Sequence, residues 1–300
     1  MKLYLAGQIL NEVLGELSLS KTRGDAAATL SAVVITAAAD TYFPGLTLAL
    51  GDAVTLTDDS GTRFSGGVQE VCRTPETVTF TAYDRGVYLT RNELYGVFSG
   101  SGADIAAQVA ARLGIALGTV DAPAGFQTIV TASGDTAYHI LRQAVGEDRE
   151  IAVVGDRLCI GAGDAAPVAL AKEQVLDVES VGSIENMVNR AVVLKRGTAT
   201  PLAQAQNDAA LAAYGQFQTA RALSGDSAQT QAQAALRGTA FTAHITVPGD
   251  LALCCGGTVA LAAPEWGLEG NFSITGVEHR WKAGLFTTEL ELERQSGGVS

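Results

Sequence analysis

The chain has 300 residues, 47% hydrophobic and 17% charged, with a formal net charge of −12. That describes a globular protein of roughly two domains, since a disordered chain is poorer in apolar and richer in charged residues. The acidic excess argues against a sequence-independent grip on nucleic acid, which needs clustered Lys and Arg, and against docking on anionic lipid.

Residues 1 to 92 read as a β-domain. Short alternating or β-branched runs at Lys2 to Leu5, Leu14 to Ser20, Leu30 to Thr36, Ala53 to Thr57, Arg63 to Val71 and Thr77 to Ala82 are separated by turn clusters. Asp58-Asp59-Ser60-Gly61 is the clearest turn, with Asp accepting local backbone bonds and Gly supplying a positive φ. Strands at this spacing suggest a barrel or sandwich.

From 93 to 165 the period changes. Ser101 is placed as a helix N-cap with Asp104 facing the free amides; Ile105, Val109 and Leu113 form one apolar stripe and Gly114 stops the helix. The same phrase recurs at Ser133-Gly-Asp-Thr136, ahead of a second helix through Tyr138, Leu141 and Val145 that Gly146 ends. Gly155-Asp156 then predicts a two-residue hairpin turn between Ile151 to Val154 and Arg157 to Ile160. This stretch is a small α/β module.

Residues 166 to 300 return to β structure, with strands expected at Val168 to Leu170, Val175 to Val181, Ala191 to Leu194, Ala243 to Val247, Thr258 to Leu261, Asn271 to Trp281 and Leu285 to Leu292. The run LAQAQNDAALAAYGQFQTARAL predicts a helix over 202–223. Turns are expected at Pro248-Gly249-Asp250 and Ala283-Gly284, a frayed tail after Gln295, and Asn186 and Asn189 as turn-makers. Leu290 and Leu292 face one side of their strand, Glu289 and Glu291 the other.

Signals for chemistry are weak. Cys72, Cys159, Cys254 and Cys255 form neither a CxxC pair nor a dense framework, which predicts reduced, buried thiols. His139, His244 and His279 have no partner at metal-ligand spacing. GxSxG, GxxxxGK[ST] and HExxH are lacking, and the Gly-rich stretch 96–102 has no accompanying Lys and reads as a loop and helix cap. Glu93, Glu147, Asp148 and Glu150 are the carboxylates a wall-degrading enzyme would draw on, but they fall in a charged stretch that predicts solvation, unlike a glycosidase pair across a cleft. Trp266 and Trp281 are expected to pack the late β-domain or its interface. No catalytic, cofactor-binding or metal residue is assigned, and no cofactor is expected. The N-terminus MKLYLAGQILNEV lacks the apolar core of a secretory leader. The longest uncharged apolar run, 26–39, falls short of the ~20 residues a membrane span needs. A soluble protein of a cytoplasm-like compartment is therefore expected.

Several phrases in order carry a resemblance: GDAVTLTDDSGTRFSGGVQEV (Gly51 to Val71), AYDRGVYLTRNE (Ala82 to Glu93), SGADIAAQVAARLGI (Ser101 to Ile115), GDRLCIG, SIENMVNRAVVLKRG (Ser183 to Gly197), AYGQFQ, and VPGDLALCCGG through LEGNFSITGVEHRWKAGLFTTELELE (Val247 to Glu293). Together they resemble the XkdQ/YqbQ-like hub proteins of contractile phage tails and phage-tail-like particles, relatives of late-control protein D and of the hub part of type VI spike proteins. The doubled Cys254-Cys255 departs from that pattern.

The resemblance implies a mainly β fold with an α/β insert, built as two tail-tube-like β-barrel domains (1–92 and 166–300) around the module at 93–165. It implies no enzymatic activity. Its function would be that of a homotrimeric baseplate hub joining a sixfold tail tube protein to a threefold central spike protein, beside LysM-type tail or baseplate proteins. Such a hub is assembled in the bacterial host cytoplasm and works in the tail baseplate, without membrane insertion. Negative charge would suit a channel through which DNA passes without specific binding. The alternative is a tail-associated peptidoglycan hydrolase or cell-wall-binding module; a secretion-spike component with effector cargo is weaker, because no extra effector domain is visible.

Overall fold

The computed structural model describes residues 1–36, 46–146, 149–154, 157–161, 166–223 and 227–294. The expected Gly155-Asp156 turn, the carboxylates Glu147 and Asp148, and the tail from Gln295 lie outside these residues. The described residues divide into two compact units, one running from Met1 to Val178 and from His244 to Arg294, the other from Glu179 to Ala243. The fold is mainly β, with a curled half-barrel sheet and a few helices.

The larger unit begins with β1 (Lys2–Leu5), β2 (Gln8–Ile9), β3 (Leu14–Thr22), β4 (Thr29–Ile35), β5 (Ala53–Asp58), β6 (Gly61–Arg73) and β7 (Thr77–Asp84). Strand periodicity decides their faces. In β7, Val78, Phe80 and Ala82 are buried while Thr77, Thr79 and Thr81 stay half-exposed. Leu3, Leu17, Leu30, Val54, Leu56 and Phe80 share one core. The predicted turn at residues 58–61 is present, with Ser60 N–H donating to Asp58 Oδ1 at 2.8 Å and Gly61 at φ +125°.

Next come α1 (Val87–Arg91), β8 (Glu93–Gly100), α2 (Gly102–Leu113), β9 (Ala116–Val120), β10 (Gln127–Thr136), α3 (Ala137–Val145), β11 (Glu150–Val154) and β12 (Arg157–Gly161). The α2 start is the predicted capping box: Ser101 Oγ accepts the Asp104 N–H and the Asp104 carboxylate accepts the Ser101 N–H. Gly114, at φ +65°, ends the helix in the left-handed conformation. The second helix starts one turn later than its Ser133 signal, because Ser133 to Thr136 finish β10 and Thr136 is the cap. This module has its own core, with Phe98, Ile105, Val109, Ile140, Leu141 and Ile151 among its buried residues. Sheets β8–β10 and β9–β12–β11 supply its strands. Gln108 and Arg112 of α2 donate to the Ser99 and Tyr95 carbonyls of β8 at 2.8 and 2.7 Å, which occupies polar groups on that strand.

After β13 (Val168–Leu170), the strand β14 (Asp177–Ser183) leads out of the larger unit. The chain returns through β18 (Ala240–Pro248), followed by β19 (Thr258–Ala263), β20 (Leu268–Lys282) and β21 (Leu285–Arg294). Between β20 and β21, Ala283 and Gly284 both have positive φ (51° and 81°), the backbone of a tight hairpin whose twist matches its strands. Val259, Leu261, Phe272, Ile274, Leu290 and Leu292 are buried, and Glu291 is exposed as the alternation predicts. β20 also pairs with β3 from Gly276↔Thr22 to Lys282↔Glu16. Early and late strands therefore belong to one sheet, running β18-β21-β20-β3-β4-β7-β6-β5-β1-β2.

The smaller unit corrects the sequence reading. The expected helix over 202–223 is β16 (Pro201–Gln206), α4 (Asp208–Tyr214) and β17 (Gln218–Ala222), after β15 (Arg190–Leu194) and before α5 (Ala228–Ala234). Helix-prone Ala and Gln here follow a period of two. Ala203 and Ala205 are half-buried opposite Val193 and Ala191, and Gln204 and Gln206 point to solvent. Asn207 caps α4 by accepting the Ala210 N–H, and Gly215 closes it at φ +80°. The strand at 191–194, expected within a second β-domain of residues 166–300, belongs to this separate unit.

Asn189 is also more than a turn-maker. It is 1% exposed, its Nδ2 donates to the Gly215 carbonyl at 2.7 Å, and its Oδ1 accepts the Phe217 N–H at 2.8 Å.

Candidate functional site

Strand alternation places three polar side chains where apolar ones belong. Lys21 follows Leu17 and Leu19 on the inward face of β3; Asp84 follows Val78, Phe80 and Ala82 on β7; His279 lies between Val277 and Trp281 on β20. Register brings them together, since Leu19 pairs with His279 and Lys21 with Val277. All three line a cavity of about 440 Å³ in the larger unit, with Arg63, Cys254 and Cys255. Its remaining wall is largely apolar and includes Phe64, Val153 and Leu251.

The charged groups there, His279 and Cys255 have partners. Lys21 Nζ lies 3.3 Å from Glu150 Oε1, with both side chains about one-seventh exposed; the carboxylate makes no aligned hydrogen bond, so charge alone holds the pair. Arg63 Nε donates to Asp58 at 2.6 Å. The Asp84 oxygens accept the Gly86 and Ala28 N–H groups at 2.7 and 3.0 Å, and burial raises its carboxyl despite those bonds. His279 Nδ1 is 3.0 Å from Thr288 Oγ1. Cys255 Sγ is 3.4 Å from the Thr275 carbonyl, which accepts its S–H.

Cysteine, histidine and aspartate around one cavity suggest nucleophilic catalysis, but the electrostatics run the other way. Burial pushes the Cys255 thiol up to about 12 and raises Cys254 as well, while burial drives His279 down to about 4. A working pair needs a lowered thiol beside a protonated imidazole. Near neutral pH this site holds neutral thiols and a neutral ring.

The depressed His279 has a measurable consequence. Its unfolded-state imidazole takes up a proton near pH 6.5 and the folded one only near 4, so stability present above pH 6.5 is lost as pH falls. Linkage puts that loss at about 3 kcal/mol between pH 7 and 4. Asp84, raised when folded, acts in the opposite sense. Denaturant unfolding at the two pH values should show His279→Gln losing about 3 kcal/mol less than the parent chain; an equal loss in both would remove His279 as the cause.

The other sequence candidates are scattered. His139 is exposed on α3 with its Nε2 3.6 Å from Asp135, and His244 is exposed on β18. Glu93 is exposed at the start of β8. Glu150, expected in a solvated stretch, is instead the partner of Lys21. All four cysteines are free, but the expected burial is corrected: Cys72 and Cys254 are exposed, Cys159 and Cys255 intermediate. Cys254 reaches solvent on one side while its thiol senses the desolvated wall. Trp281 packs against the core of the early strands, and Trp266 carries the Lys172 ammonium 5.5 Å from its ring centroid. Among the described residues, no cluster of His, Cys, Asp and Glu is arranged to hold a metal, and no helix is long and apolar enough to cross a membrane.

This architecture is the fold of phage tail proteins. The 43 kDa tail protein of prophage MuSo2 from Shewanella oneidensis superposes with a TM-score of 0.76 at 16% identity, over 98% of this chain and 96% of that one. The tail protein from Neisseria meningitidis MC58 gives 0.73 at 16% identity, over 98% and 96%. The E. coli c3393 protein, a type VI secretion component described as structurally similar to T4 tail proteins gp27 and gp5, gives 0.61 at 10% identity, over 99% and 77%. Within that fold, the family model described as YQBQ-like matches residues 17–153 and 155–293, and the chain belongs to the YqbQ-like family. No curated protein sequence matched the chain.

Proposed function

We propose that this protein is a structural baseplate hub of a contractile tail: a trimeric ring that adapts a sixfold tail tube to a threefold central spike and forms part of the central channel. The observation that carries this reading is the single sheet in which β20 of the late strands pairs along seven residues with β3 of the early ones. One protomer can thereby offer two related β-regions, so that three chains match a sixfold partner. Residues 1–92 form the first tube-like domain and 93–165 the insert module. Residues 166–300 form the second, and the segment 179–243 is inserted in its sequence. Tube, spike and LysM-type tail proteins are the partners, and the working place is the tail baseplate after assembly in the host cytoplasm.

The outward face of the shared sheet suits a channel wall. Cross-strand registers align Thr287, Arg280, Ser18, Ser31 and Thr81 in one row, and Glu289, Glu278, Ser20, Thr29 and Tyr83 in the next. Small hydroxyls and carboxylates dominate these rows, and a passing polyanion meets little to adhere to. Mass photometry and electron-microscope class averages of the purified protein, alone and with tube and spike proteins, test the proposal. A threefold ring at three times the 30.9 kDa protomer mass is expected. A protein that stays monomeric and joins neither partner overturns it.

The hydrolase alternative draws no support from the placement of its carboxylates. Glu93 is exposed and Glu150 is held by Lys21, which leaves neither as an acid in an apolar pocket. Cell-wall turbidity should therefore be unchanged by the protein, and clearing that Glu150→Gln abolishes would restore the enzymatic reading.

A further inference from the structure

We infer that the cavity between β3, β6, β11 and the segment 251–255 is a binding site for a small, uncharged, largely apolar molecule. This inference stands apart from the hub reading, because it rests on one protomer.

Size is the first argument. About 440 Å³ is far more than a packing defect in an interior that leaves few voids larger than a water, and it falls within the range of small-ligand pockets. The walls are the second. Leu19, Phe64, Ala152, Leu251, Leu253 and Val277 line the space, and they come from three separate parts of the chain. Filling the space with an apolar body would remove both the body and these side chains from water at roughly 25 cal/mol per Å².

Charge balance selects the ligand class. The Lys21 ammonium is matched by Glu150, the Arg63 guanidinium by Asp58, and the Asp84 carboxylate by two backbone N–H donors. His279 already contacts the Thr288 hydroxyl. An anion entering the cavity would find its cations engaged, and a cation would have to break an existing pair to reach a carboxylate. Either would pay desolvation without full compensation. A neutral molecule pays none of that. The thiols of Cys254 and Cys255, neutral and at the wall, add weak, polarizable contacts of the kind apolar guests tolerate. This gives the doubled cysteine, which departs from the resemblance, a place in a site.

The test is a fluorescence titration of the full chain with N-phenyl-1-naphthylamine, an uncharged apolar dye, followed by displacement with 1-octanol, octanoate and octylamine at pH 7. One saturable site is expected, with octanol displacing the dye at least about tenfold more effectively than either ion. Ala152→Phe, which fills the space from β11, should weaken dye binding by at least about tenfold while thermal unfolding stays cooperative. Ala252→Phe repeats the experiment from the late segment if the first variant does not fold. Absence of saturable binding, displacement by octanoate or octylamine as effective as by octanol, or unchanged affinity in a folded filled variant overturns the inference.

Discussion

Replacing Lys21 with Met should destabilise the protein by about 3–5 kcal/mol, the cost typical of stranding one member of a buried ion pair. Lys21 and Glu150 are 14% and 13% exposed, and the Glu150 oxygens have no aligned hydrogen-bond donor to take over. The strand positions explain why the pair is needed: Lys21 occupies an inward site of β3, and Glu150 opens β11 of the insert module, which has a core separate from that of the early strands. Without the ammonium, the shielded carboxylate is left uncompensated and is drawn toward water, pulling on β11. Denaturant unfolding of Lys21→Met measures the loss. The double variant Lys21→Met with Glu150→Leu should recover most of it, because replacing both charges by apolar groups removes the desolvation penalty of each. A single variant as stable as the parent would show that the carboxylate is solvated and the pair weak.

Asn189→Leu should cost about 2–5 kcal/mol, and the damage should stay in the smaller unit. The substitution removes two part-buried hydrogen bonds at once and leaves the Gly215 carbonyl and the Phe217 N–H without their partner; an orphaned group costs about 1–3 kcal/mol where it is shielded from water and less where it is wet. Backbone bonds from Asn189 and Arg190 N–H to the Phe217 carbonyl tie the same segment, so its register with β17 depends on this corner. Amide hydrogen exchange is the suitable readout. Protection across β15, β16 and β17 should fall while that of β3, β4 and β7 holds. Uniform loss in both units, or none, would contradict this assignment of the side chain.

Much of this was legible in the sequence for a local reason. Caps, turns and alternation act over a few residues, so Ser101 with Asp104, the Asp58–Gly61 turn and the buried Leu290 and Leu292 could be read without neighbours. The Lys21, Asp84 and His279 signals were present too, as polar residues at inward positions of otherwise apolar strands, but each alone looks like a surface residue. Only the registers that set Leu19 beside His279 and Lys21 beside Val277 collect them around one cavity.

The Ala- and Gln-rich run failed as a helix because its intrinsic preference and its burial pattern disagree. Ala favours a helix by a few tenths of a kcal/mol per residue, whereas pairing β16 against β15 satisfies a whole ladder of backbone groups and half-buries Ala203 and Ala205. Composition and local pattern thus determined a mainly β, acidic protein with capped helices. Long-range pairing alone decided that residues 179–243 stand as their own unit, that early and late strands share a sheet, and that Lys21 meets Glu150. The last two are contacts between residues a hundred or more positions apart, and nothing in a local pattern carries the free energy that selects them.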